Sequence, residues 1–177
     1  MSTLRKMPAP RKTAVQRVQE WPSIAGKEMV WLRRKPGQLR AAGTNRSSDY
    51  TDARHPRLFD RSVIHTHISS LGGADVALSP SDMKYLAVCV LKSRVRSMHI
   101  LVVGDGGKVT GRVTYRVTPV FLKQAPAIRR ARLEADGRAS KEFVESISVP
   151  GILRIRYRPT PGYALDLASG CFKPKQA

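Results

Sequence analysis

The stretch Ser79-Pro80-Ser81-Asp82 constrains this chain more than any other. Ser79 can cap a helix, Pro80 suits a first helical turn, and Asp82 places negative charge at the positive end of the helix dipole. The helix it opens is expected from about Asp82 to Lys92, with Met83, Leu86, Ala87 and Val90 at helical spacing. Strand-like runs flank it. Ser62-Val-Ile-His-Thr-His67 carries β-branched Val63 and Ile64 and reads as a central strand. Met98-His-Ile-Leu-Val-Val103 reads as a buried strand.

The remaining segments extend this mixture. Thr13–Glu20 reads as a short helix, and Lys27–Leu32 as a strand. Pro36-Gly37 signals a turn, with Gln38–Ala42 as a hairpin partner. Residues 43–60 are polar and read as a long loop, and 69–73 as a short one. Asp105-Gly-Gly107 is a turn, and Lys108–Val117 alternates as a strand with one exposed face. A helix interrupted by Gly137 is expected over Ala127–Ser146, then strands at Gly151–Tyr157 and Tyr163–Leu167. Strands and helices interleave without a regular β-α-β rhythm, so the expected class is mixed α/β, α+β-like in character. The division expected is a disordered basic arm at 1–12, a domain at 13–125 and a C-terminal extension of helix and strands at 126–177.

Composition narrows the function classes. The chain has 177 residues, with 32 Lys and Arg against 13 Asp and Glu, a net charge of +19. That charge predicts attraction to nucleic acid, an anionic membrane surface or an acidic protein. No zinc-finger spacing or basic zipper accompanies it, and aromatic residues are only 6%, so a base-stacking platform is not indicated. No apolar run is long enough for a transmembrane helix. Cys89 and Cys171 are too few for a disulfide framework, which points to a reducing, cytoplasmic setting. Arg5, Lys6, Arg11, Lys12 and Arg17 resemble a transit peptide in charge, which leaves organellar import as a lesser alternative.

Chemistry concentrates at His65-Thr66-His67 and the helix start that follows. Histidines two apart on a strand share a face, so both imidazoles can converge on one ion. Asp82 opens the next helix and can reach the same point. Two imidazole nitrogens, one carboxylate oxygen and a water make an open catalytic zinc site. Glu28, on the early strand, is the candidate general base, with Glu20 as a competitor. Ser79 can donate a hydrogen bond to an oxyanion. Asp75 is an alternative ligand, while His99 reads as a packing residue, His55 as a loop residue and Cys89 as a small core residue.

At these residues the chain resembles the JAMM (JAB1/MPN/Mov34) metalloprotease family, whose pattern is an upstream Glu, then His-x-His, then Ser-x-x-Asp at a helix start. Glu28-Met-Val-Trp-Leu32 looks like the family's first strand, His65-Thr-His67 like its zinc-binding pair, and Ser79-Pro-Ser-Asp82 like its serine and third ligand. The resemblance spans about residues 13–120. It implies a central mixed sheet flanked by helices. His65, His67 and Asp82 would hold Zn2+, with Glu28 as proton shuttle and Ser79 at the oxyanion. The implied substrate is an isopeptide or peptide bond of a ubiquitin-like conjugate. Eleven residues, Ile68 to Leu78, separate His67 from Ser79, a longer gap than the family's. The alternative is an inactive, strongly basic module binding RNA, DNA or a ribonucleoprotein. The sequence leaves the oligomeric state open.

Overall fold

Alternating side chains in six strands, and a hydroxyl cap at each of three helix starts, build a mixed sheet with helices on one face. The computed structural model describes residues 28–35, 38–44, 55–69, 76–135 and 138–176. The expected arm at 1–12 and helix at 13–20 lie outside them, as do Glu20 and Asp75. The strands are β1 (Met29–Lys35), β2 (Gln38–Thr44), β3 (Ser62–Ile68), β4 (Ser97–Val103), β5 (Val109–Val117), β6 (Leu153–Pro159), β7 (Tyr163–Asp166) and β8 (Cys171–Pro174). The helices are α1 (Pro80–Lys92), α2 (Pro119–Arg130) and α3 (Lys141–Ile147).

Strands β1 to β6 form one sheet in the order β2-β1-β3-β4-β5-β6, and β7 and β8 form a separate hairpin. Among the described residues β3 and β4 are the one parallel pair, with α1 as their crossover. A parallel pair needs such a connection because a tight turn cannot reverse the chain twice. The other pairings are antiparallel. The class is therefore mixed α/β, as the sequence pattern leads one to expect. β6 completes the same sheet as β1 to β5, so residues beyond 125 contribute its last strand.

The main core lies between the sheet and the helices. Leu32, Val63, Met98, Ile100, Val102 and Val113 from the sheet meet Leu86 and Val90 of α1, Phe121 and Ile128 of α2, and Phe143 of α3. Cys89 is buried there as a small core residue. A second cluster of Met29, Trp31, Ile64 and Leu101 occupies the opposite face. β4 runs into β5 through Asp105–Gly107, where Gly106 and Gly107 have φ of 69° and 76°. Such left-handed angles favour glycine, which explains why Gly104-Asp-Gly-Gly107 is a turn.

One expectation needs correction. The helix expected over Ala127–Ser146, interrupted by Gly137, is two helices, α2 and α3, the first starting earlier, separated by a bridge pairing Leu133 with Ala139. α2 begins at Pro119 because Thr118 caps it, accepting from the Phe121 N–H. Ser140 caps α3 in the same way. Lys108–Val117 was expected to expose one face, and β5 alternates accordingly: Val109, Val113 and Tyr115 are buried against the helices, while Arg112 and Thr114 are half-buried and Arg116 exposed on the other side, with Thr110 buried there.

Candidate metal centre

The centre forms where the carboxyl end of β3 meets the amino end of α1. Strand alternation turns Val63, His65 and His67 toward the helices and Ser62, Ile64 and Thr66 away. In β1, Val30 pairs with His65, so its face is the helix face too. Glu28, two residues earlier, extends that alternation. Thr66 points the other way and its hydroxyl accepts from the Met29 N–H at 2.7 Å, which ties the start of β1 to the end of β3.

Asp82 is set by a capping box. Ser79 Oγ accepts from the Asp82 N–H at 3.1 Å, and Asp82 Oδ2 accepts from the Ser79 N–H at 3.0 Å. The Ser79 hydroxyl also donates to Asp82 Oδ2 at 2.8 Å. The cap occupies Oδ2, and the free Oδ1 faces His65. His65 Nδ1 lies 2.9 Å from Asp82 Oδ1, and His67 Nε2 lies 3.5 Å from Oδ2. The two imidazoles stand edge to face, with centroids 4.9 Å apart and planes at 87°.

The far side of His65 faces Glu28. His65 Nε2 lies 3.4 Å from Glu28 Oε2, yet the geometry makes no hydrogen bond. This nitrogen is buried without a hydrogen-bond partner, and His65 is only 5% exposed. An orphaned imidazole nitrogen is costly in a protein interior and is what a coordinated ion would satisfy. Glu28, His65 and His67 offer ligand atoms that all lie within 4.8 Å of one another. Among the described residues this is the one such cluster of three or more metal-ligating side chains. The donor set of two imidazoles and carboxylates suits a first-row divalent cation. The chain therefore has a site able to hold a metal ion.

All five residues singled out in the sequence converge here. The compact trio is Glu28, His65 and His67, rather than His65, His67 and Asp82. Asp82 stands behind the histidines and bonds to them, as carboxylates behind metal-binding imidazoles do. Its Oδ2 also anchors the helix start.

The electrostatics follow from burial among opposite charges. Burial pulls the His65 pKa down, but Asp82 and Glu28 outweigh it and raise it to about 10. Burial pushes the Asp82 carboxyl up, but His65 and His67 hold it well below the usual carboxylate range. The pair thus behaves as an ion pair that a metal would enter by displacing a proton.

The C-terminal hairpin borders the centre. In the row that holds His67 and Val102, β5 has Gly111, and the Phe172 ring of β8 lies against it. A Cβ at Gly111 would sit 2.4 Å from that ring. The Val76 N–H donates to Gly170 O at 3.2 Å, and the Tyr115 hydroxyl donates to Val76 O. Val76, shortly before α1, is thereby fastened to the hairpin and to β5.

Other histidines take no part. His99 lies on β4 on the far face of the sheet, with Nδ1 3.0 Å from Thr114 Oγ1, and His55 lies outside the regular elements. The sequence reading missed strand β8 and the packing of Phe172 on Gly111. The only local signal was an apolar residue in Cys171-Phe172-Lys173, too short to carry a pattern. No family model, no curated protein and no solved structure matches the chain.

Proposed function

We propose that this chain is a zinc-dependent hydrolase of the JAMM type, acting on isopeptide or peptide bonds of ubiquitin-like conjugates. One observation carries the reading. Of the five residues of the JAMM-like pattern, Glu28, His65 and His67 gather beside a buried imidazole nitrogen that lacks a hydrogen bond, and Asp82, capped by Ser79, holds the same His65 ring at its other nitrogen. That point lies at the carboxyl end of a parallel strand and the start of its crossover helix, a usual place for sites in sheets with helical crossovers.

His65 and His67 would hold the ion, with a carboxylate from Asp82 or Glu28. Zinc, when bound, makes its water acidic and polarises a carbonyl oxygen. Asp82 fixes the orientation of both rings. Glu28 is half-buried beside His65, where its carboxylate can accept a proton from water and later deliver it to a leaving amine. The Ser79 hydroxyl, bonded to Asp82 Oδ2 in the resting chain, turns to donate to the developing oxyanion.

The test is metal content together with cleavage. The purified chain is expected to carry about one zinc per molecule by elemental analysis and to cleave ubiquitin-like conjugates. His65→Ala should lose both properties. Glu28→Gln should keep the metal and lose cleavage. If Glu28→Gln loses the metal instead, Glu28 is a ligand and not the base. A chain that takes up no zinc when titrated overturns the reading.

A further inference from the structure

Six arginines share the sheet face turned away from the helices. The register places Arg33, Ser62, Ser97, Arg116 and Arg154 in one row across the sheet. Arg156 stands opposite Thr114 in the next row, and Arg158 opposite Arg112 in the one beyond. Alternate residues of a strand are about 6.7 Å apart and neighbouring strands about 4.8 Å apart, so the guanidiniums stem from a regular grid. Arg116, Arg154, Arg156 and Arg158 are exposed, and Arg33 and Arg112 half-buried.

Among the described residues none of the six is ion-paired with a carboxylate. Like charges directly opposite on paired strands are destabilising. Charges on an edge strand can guard it against pairing with another chain. That accounts for β6, but not for Arg112 and Arg116 on interior β5, each facing another arginine. The local field is strong. Burial lowers the His99 pKa, and Arg33, Arg112 and Arg116 add to this, bringing it to about 4.

We propose that this arginine face binds the phosphodiester backbone of a nucleic acid, independently of base sequence. This goes beyond the hydrolase reading and uses none of its residues. Guanidinium forks match phosphate oxygens bidentately, and all six cations are arginine rather than lysine. A repeating array of phosphates answers a repeating array of cations. Met29, Trp31, Ile64 and Leu101 on this face are buried, and Ile155 and Tyr157, the exposed large apolar residues of β6, point to the opposite side, so the described strands offer no exposed large apolar group here to enter a membrane. Among the described strand residues no exposed aromatic ring shares this face, Trp31 being buried, which favours backbone contact as the means of binding.

The experiment measures binding of short fluorescent single-stranded RNA and DNA oligonucleotides to the full chain by anisotropy across a salt series. Five or six phosphate contacts predict a log–log salt slope of about −3.5 to −4.2, at about 0.7 per contact. The variant Arg154→Gln/Arg156→Gln/Arg158→Gln should lower the slope magnitude by about 2 and weaken binding at least about tenfold at low salt. The control Lys123→Gln/Arg129→Gln/Arg130→Gln removes the same charge from exposed positions of α2 and should change binding much less. A variant with lysine at 154, 156 and 158 should keep most of the slope. Its thermal melt, with that of the glutamine variant, verifies folding. Comparing RNA with DNA identifies the preferred backbone. Equal losses in the β6 and α2 variants would show net charge alone at work and overturn the proposal. So would absence of oligonucleotide binding at low salt, or binding confined to phosphatidylserine–phosphatidylcholine vesicles.

Discussion

At the residue scale the centre depends on one carboxylate with two tasks. Asp82 closes the capping box with Ser79 and holds His65 at Nδ1. Removing it as Asp82→Ala leaves a buried imidazole nitrogen without its partner, at a cost of about 2–3 kcal/mol, readable in urea denaturation. Ser79→Ala removes the cap and should cost about 1 kcal/mol. If the hydroxyl also serves the oxyanion, kcat should fall about a hundredfold with zinc retained. Loss of stability without loss of rate would make Ser79 a cap only. His99 gives a pH prediction on the other face. Its folded pKa of about 4 lies below the ordinary 6.5, so the unfolded chain binds more protons between those values. Stability should therefore fall as pH drops from about 6.5 toward 4, by about 1–2 kcal/mol after solvent screening. His99→Gln should flatten that part of a stability–pH profile.

At the element scale the hairpin of β7 and β8 is held by a glycine. Gly111→Ala forces a methyl into the Phe172 ring, and overpacking of this kind costs about 1–3 kcal/mol. Phe172→Ala alone opens a cavity, so the two changes together should cost less than their sum, measured as a double-mutant cycle. The same elements show what could be read from the sequence. α1 was legible because its start carries cap, proline and carboxylate within four residues. β3 and β4 were legible because β-branched and apolar side chains run together. α2 was displaced in the reading because Pro126 lies inside it, while the Thr118-Pro119 start carries the same cap-and-proline signal as Ser79-Pro80. The five residues of the centre were readable from alternation and capping. That Glu28 rather than Asp82 completes the compact trio was not, because it depends on which His65 nitrogen each carboxylate faces. The arginine face was hidden for a related reason. Alternating arginines are visible in each strand, but their alignment comes from register between strands distant in sequence.

At the scale of the whole molecule the centre draws on segments far apart in sequence, Glu28 ahead of β1, His65 and His67 on β3, and Ser79 and Asp82 at α1. An ion bound there stabilises the native chain alone. At free zinc one hundredfold above its Kd, the gain is about 2.7 kcal/mol. For a chain of this length that raises Tm by about 5–10 °C, and a chelator should reverse it. His65→Ala should abolish the shift without removing the fold. The two charged regions also lie on opposite faces of one sheet, so an occupied arginine face leaves the centre open.

The tie between Val76 and Gly170 has a consequence in time. The chain between the histidines and Asp82 is fastened at Val76 by a residue almost a hundred positions later. At synthesis rates of about 5–20 residues per second, that is a lag of roughly 5–20 seconds. During it, β3 and α1 have emerged while their clasp is still being made. The nascent chain thus carries its histidines before the hairpin that borders them exists.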